Sequence, residues 1–157
     1  MSETHASCGV QDTDLALDEA DRLCRSRGER LTPLRRHVLR LLIEARRPAK
    51  AYDLLEKLDG EGAAKPPTIY RALEFLQDMQ LAHKIESLNA YVACGHRDHA
   101  HSAVFLICQS CGQTSELHTE RVPDVLREDA AAVGFTVRHA VIEVRGLCAR
   151  CGKETRA

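Results

Sequence analysis

Tryptophan is absent from this chain and aromatic residues make up only 4% of it. Any core must therefore be built mainly from Leu, Val and Ala. No apolar run approaches the roughly 18 residues that a membrane-spanning helix requires, so no membrane partner is expected. The first thirty residues lack the apolar stretch of an export signal and carry scattered acids. A cytoplasmic location is the default expectation. No internal repeat and no low-complexity segment is present. Hydrophobic residues at 44% and charged residues at 29% exclude a disordered chain. The 157 residues fit one ordinary domain or two small ones.

Net charge is nearly absent too, since 22 basic and 23 acidic side chains sum to −1. The average hides a polarity. Residues 22–50 hold ten basic side chains against Glu29 and Glu44, a local +8, which leaves −9 for the rest. Such a block points either to a phosphate-bearing partner or to a solvated Arg-rich surface.

Cysteine, by contrast, is plentiful but odd in number, at seven. In a reducing compartment that excludes a disulfide framework. Four of the seven form two Cys-x-x-Cys pairs, "CQSC" at Cys108 and Cys111 and "CARC" at Cys148 and Cys151, separated by 36 residues. Each pair is followed by a glycine, Gly112 or Gly152. A glycine there lets the backbone curl so that amides face the sulfurs. Together the pairs supply the four thiolates of a tetrahedral structural zinc site, a staple between the ends of a small domain. A redox Cys-x-x-Cys is the competing reading. Cys24, on an apolar helix face, reads as a buried small side chain.

Periodicity organises the rest. Ala16, Ala20, Leu23 and Cys24 share one face of a helix over about 12–26, which Gly28 stops. Thr32 is a natural N-cap and Pro33 a natural first residue for a second helix, with Leu34, Val38, Leu41, Leu42 and Ala45 as its apolar stripe. "AYDLLEKL" is a short third helix. Asp59 to Lys65 reads as a loop. "KPPTIYRALEFLQDM" is a fourth helix, with Ile69, Ala72, Leu73 and Leu76 inward and Thr68, Tyr70, Arg71, Glu74 and Asp78 outward. Short strand-like runs, "LAHKIES" and "AYVAC", follow around a turn at Leu88 and Asn89. Helices followed by a two-stranded ribbon read as a winged helix-turn-helix whose last helix reads DNA.

The second half changes character. "SAVFLIC", "QTSELH" and "FTVRHAVIEVRG" have strand composition. Val122 to Val133 is predicted helical and Gly134 breaks it. The expected class is α+β, with an N-terminal winged-helix domain over 12–88, a hinge at 89–95 and a small α/β domain over 96–157 that carries the zinc staple. Residues 1–11 are expected to be a flexible tail, with His5 and Cys8 idle.

The motifs "RLTPLRRHVL", "AYDLL", "KPPTIYRALEFL", "HKIES" and "CQSCG…GLCARC" resemble the ferric uptake regulator superfamily, and within it the zinc-uptake branch, from about residue 15 to 152. The resemblance implies a dimeric, metal-dependent regulator of transcription with a C-terminal dimerisation domain. It places a regulatory metal site on His83, Cys94, His101 and Glu116. One thiolate, two imidazoles and a carboxylate can close a tetrahedron around zinc. Iron-sensing relatives usually carry a His three residues before the first Cys pair, where this chain has Phe105. The family's usual His in the last strand would fall at Ala140, with His139 displaced onto the opposite face, which disfavours a third metal site. His96, His99 and His118 stay ambiguous between ligands and solvated loop residues.

The implied function is zinc-dependent binding of a homodimer to palindromic operator DNA, with two zinc ions per subunit, one structural and one regulatory, and repression of zinc-uptake genes. Arg71 is the candidate for a bidentate contact to guanine. Tyr70, Tyr52 and Thr68 are candidate DNA contacts, and Lys65, Arg35 and Arg36 candidate phosphate contacts. Tyr52 has partial burial beside the first helix as its alternative. The competing functional readings are an iron- or peroxide-responsive regulator of the same fold and a zinc hydrolase. The latter needs an open coordination position and a pocket, so no catalytic residue and no small-molecule substrate are expected.

Overall fold

A computed structural model of the chain describes residues 13–45, 47–58, 65–94, 103–138 and 140–154. The expected tail, most of the loop after Leu58, and His96, His99, His101 and His139 lie outside the described residues.

Helix α1 spans Thr13–Ser26 and buries Ala16, Leu17, Ala20 and Cys24. Gly28, at φ +75°, turns the chain out of it. Its amide donates to the Arg25 carbonyl at 3.0 Å, while the Glu29 amide donates to that of Cys24 at 2.9 Å. Helix α2 spans Pro33–Ala45. The Thr32 carbonyl accepts the Arg36 amide at 2.9 Å, and the Thr32 hydroxyl lies 3.5 Å from the Arg35 amide. Its buried face is Val38, Leu39 and Leu42. Leu34, Leu41 and Ala45 are partly buried against the core, so the stripe is the expected one widened by Leu39. Helix α3 spans Ala51–Leu58, with the Asp53 carboxylate accepting the Lys50 amide at 3.3 Å.

Helix α4, Pro66–Asp78, opens on prolines whose missing amides cost nothing in a first turn. It buries Ile69, Ala72, Leu73 and Leu76, as its sequence pattern predicts. Gln80, at φ +59°, then reverses the chain. The Leu81 amide returns to the Leu76 carbonyl at 2.8 Å, welding the end of α4 to the strand that follows.

Strands β1, Ala82–Ile85, and β2, Ala90–Ala93, form the antiparallel wing. A 3-10 turn, Glu86–Leu88, and Asn89 in the left-handed region at φ 46° join them. The connector between α2 and α3 bridges to the same ribbon, because Ala49 and Tyr91 exchange both backbone hydrogen bonds at 2.8 and 2.9 Å. β2 occupies most of the span expected to be a hinge. The wing therefore reaches at least to Ala93, and the connection to the second half begins after it.

That half comprises β3 (Ala103–Cys108), β4 (Thr114–Glu116), α5 (Arg121–Ala132), β5 (Val141–Gly146) and α6 (Ala149–Glu154). The sheet order is β4-β3-β5, with β4 antiparallel and β5 parallel to β3. Gly134, at φ +77°, ends α5. The strand expected over 135–146 is shorter than its composition suggests and starts at Val141. Helix α6 has no forewarning in the sequence, since six residues are too few to display a helical period.

Two apolar clusters result. The larger lies within the first half and joins α1 to α4 with the start of the wing, around Leu17, Val38, Leu39, Leu54, Leu73 and Leu76. The smaller is a seam between the halves, in which Ile85, Leu88 and Val92 of the wing pack with Ala103, Phe105 and Ile107 of β3. Among the described residues no helix is long and apolar enough to cross a membrane.

Candidate metal centre and nucleic-acid interface

The parallel pairing of β3 and β5 explains how cysteines so far apart in sequence meet. Cys108, the last residue of β3, lies level with Gly146, the last of β5. Each strand then turns back at the same end of the sheet. Gly112 makes the first turn at φ +72°, its amide donating to the Cys108 carbonyl at 2.9 Å. The second turn is helical: Gly152 sits inside α6 and donates to the Cys148 carbonyl at 2.8 Å. A left-handed glycine is therefore needed at the first pair only, a correction to the symmetrical expectation.

The four sulfur atoms lie within 4.8 Å of one another. Cys111 and Cys148 are 3.8 Å apart. Zinc–sulfur bonds of about 2.3 Å in a tetrahedron set sulfurs about 3.8 Å apart, whereas a disulfide requires about 2.05 Å. None of the four forms a disulfide, and the gathering of both pairs around one point fits a tetrahedral thiolate centre better than two separate redox pairs. The surroundings favour the thiolate at Cys108 and Cys148. The backbone amide of Cys111, then that of Cys148, hold the Cys108 thiol down at about 6. The Cys148 amide donates to the Cys108 sulfur at 3.4 Å. Cys148 is lowered, chiefly by the Cys151 amide. For Cys151 the Ser110 side chain pulls downward, but hydrogen bonds from neighbouring thiols together with burial outweigh it, and the group rises to about 11. A divalent cation bound by all four would offset part of their thiolate charge and favour loss of their protons.

The second expected set straddles the seam. His83 is 3% exposed, and its ring meets Phe105 edge-on at 5.8 Å. Cys94 is buried just after β2, its amide on the Leu81 carbonyl at 2.9 Å. Glu116 ends β4 and is the cross-strand partner of Phe105. Directly paired residues share a face of the sheet, so Glu116 stands on the face against which His83 packs. His83 and Glu116 thus both adjoin Phe105, Cys94 follows the second wing strand, and His101 is outside the described residues. The donor types suit zinc, a mix of nitrogen, sulfur and oxygen, with His83 and Cys94 buried and Glu116 half-buried; among the described residues, however, only the four cysteines gather their ligand atoms closely enough to hold an ion. His118 is exposed beyond β4.

The predicted nucleic-acid face divides in two. On α4, Thr68, Tyr70 and Arg71 are exposed, as is Lys65 just before it and Tyr52 on α3. Tyr52 at 68% exposure is not held beside the first helix. Arg35 and Arg36 are placed differently. Arg35 donates to the Arg30 carbonyl at 2.7 Å and stacks over the Phe75 ring at 3.5 Å. Arg36 donates to Asp18 at 2.7 Å and to the Leu17 carbonyl at 3.2 Å. Two more members of the +8 block are matched in the same way: Arg25 pairs with Asp21 and Arg40 with Asp14. The acids that balance it sit on α1, mostly before the block begins, where a charge window cannot see them.

A family model, the ferric uptake regulator family, matches residues 26–145. The chain belongs to this family. It is similar to the zinc uptake regulation protein of Escherichia coli strain K12, 45% identical over 141 residues that cover 88% of this chain and 82% of that one. It is also similar to the structure of a zinc uptake regulator complexed with zinc and DNA, with a TM-score of 0.84 and 42% identity, covering 93% of this chain and 99% of that one. Against apo XcZur the TM-score is 0.53 at 45% identity, covering 91% and 99%. At near-equal identity this chain therefore matches the zinc- and DNA-bound family member more closely than the apo one.

Proposed function

We propose that this family member is a zinc-responsive transcriptional regulator whose zinc-loaded homodimer binds palindromic operator DNA and represses zinc-uptake genes. The observation that carries this reading is its near full-length likeness to a zinc uptake regulator complexed with zinc and DNA. Each subunit would hold two zinc ions. Cys108, Cys111, Cys148 and Cys151 would hold the structural one, and His83, Cys94, His101 and Glu116 the regulatory one. Zinc supplies a four-coordinate cross-link between the side chains that bind it.

The protein's own residues make such a link matter. His83 and Cys94 belong to the wing, which is continuous with α4. Glu116 belongs to the other half. Drawing them together fixes the angle at which α4 is presented. A two-state equilibrium moves from 1:99 to 99:1 with about 5.5 kcal/mol of differential affinity, and a site complete in one arrangement only can provide that. On DNA, Arg71 would contact a guanine edge, with Tyr70, Tyr52, Thr68 and Lys65 around it.

Homodimer formation is supported by the surface of the second half. Val122, Val125 and Leu126 of α5, and Val141 and Val144 of β5, are exposed apolar side chains. β5 is also an outer strand of its sheet. Val144 lies on the face of the sheet turned away from the wing, being level with Leu106 and not Phe105, and exposed apolar side chains beside an outer strand suit a two-fold partner. No catalytic role is proposed.

The test is zinc per subunit together with DNA binding before and after mild chelation. The expected result is one retained and one removable zinc, with binding lost alongside the removable one. Equal DNA affinity in both states, with the cysteine centre intact, would overturn the reading.

A further inference from the structure

The seam between the halves carries one polar contact that the metal chemistry does not use. The Glu143 carboxylate, on β5, accepts the backbone amide of Glu86 at 2.7 Å and that of Ser87 at 3.3 and 3.4 Å. Those amides open the 3-10 turn at the wing tip, which has no side-chain cap of its own. Glu143 is level with Phe105 on the parallel pair, and Phe105 is level with Glu116 on the antiparallel pair. The row Glu116–Phe105–Glu143 therefore crosses the sheet on one face. His83 packs on its middle member.

We propose that Glu143 is a positioning residue for DNA binding: from the second domain it grips the wing tip and holds α4 in its reading orientation, on the side of the seam away from the regulatory ligands. The mechanical path is short. The wing tip continues β1, and β1 is welded to α4 through the Leu81 to Leu76 hydrogen bond. The Ser87 side chain, followed by the two amides, draws the Glu143 carboxyl below the ordinary carboxylate range, as expected of an anion satisfied by several donors. The grip needs no metal, so it biases the two halves toward the docked arrangement before zinc arrives and lowers the free zinc needed to complete the shift. This consequence rests on the reading of the chain as a zinc-responsive DNA binder; the grip itself does not.

Two measurements separate those claims. The first is amide hydrogen exchange at Glu86 and Ser87 in wild type, Glu143→Gln and Glu143→Ala, each with its cysteine centre loaded. Exchange should be slow in wild type, intermediate in Gln and fast in Ala, because the amide oxygen of Gln still accepts one bond without the charge. The second is DNA binding against buffered free zinc, using a duplex selected from a random pool by zinc-loaded wild type. The midpoint should rise about three- to tenfold in Glu143→Ala, as expected for losing a partly exposed charge-assisted contact coupled to binding. Glu86→Pro attacks the grip from the other side and guards against misfolding of the strand variant. Ile85 before it is already extended, at φ −98° and ψ 101°, which suits a following proline, and the substitution deletes the shortest of the contacts. It should raise the midpoint too.

Unchanged exchange in Glu143→Ala overturns the grip. Lost protection with an unmoved zinc midpoint in both variants overturns the positioning role. Wild type that binds DNA without regard to zinc defeats the functional reading instead, while the exchange result still decides the grip.

Discussion

The first half of the molecule buries Leu17, Val38, Leu39, Leu54, Leu73 and Leu76 against one another, whereas the second leaves Val125, Val133, Phe135 and Val144 at 45–81% exposure. Both are of modest length. One closes its own core from four helices and a ribbon; the other spends its best-packed strand, β3, on the seam with the wing. The wing covers one face of the second half, and on the proposed reading a metal at one end of the sheet and another copy along its outer strand would supply what its core lacks. Small domains short of core are commonly completed by such aids. The comparison separates a reading head that stands by itself from a platform defined by what it binds.

Breaking the comparison at its strongest point means removing the cysteine centre. With Cys108→Ser or Cys151→Ala, the loss is comparable to the roughly 10–16 kcal/mol that structural zinc provides in small domains. The second half should unfold while α1 to α4 keep slow amide exchange, read segment by segment with metal content. Concerted loss of both halves would remove the distinction. The converse is Leu73→Ala in the first half, where a fully buried side chain leaves a cavity costing about 2–5 kcal/mol. Denaturant melts should register it while cysteine-bound metal stays at the wild-type level. A smaller effect is expected from Arg71→Ala, about 1–3 kcal/mol in DNA binding with relaxed choice at one base pair. Equal losses on every sequence would make Arg71 a backbone contact. Val144→Glu should turn the dimer to monomer in sedimentation without unfolding the first half. The least effect belongs to the Arg40 and Asp14 pair, both partly exposed. Arg40→Gln should cost no more than about 1 kcal/mol of melting stability.

Much of the first half was legible because burial there follows helical period. The inward and outward residues of α4 fall as the sequence pattern has them. Leu39 escaped because the stripe on α2 is wide, so a leucine one step off the seam still reaches the core. The cysteine centre was legible from spacing, but its helical half was not, since α6 is only six residues. For Arg35 and Arg36, candidate phosphate contacts, the sequence gives no sign of the contacts they make within the chain. Only folding shows that α1 lays Asp18 and the Leu17 carbonyl beside one, and that Arg30 and Phe75 occupy the other. Glu143 gives no signal in sequence either. It reads as a polar residue on an alternating strand until the wing tip is seen against it.

The meeting of β3 and β5 at the cysteines has one more consequence. The 36 residues between Cys111 and Cys148 include all of α5. A metal joining those sulfurs closes this stretch into a ring, so a protease cutting once inside it makes a nick and not two fragments. The cut protein should travel as a single particle until a chelator is added, and then part into two.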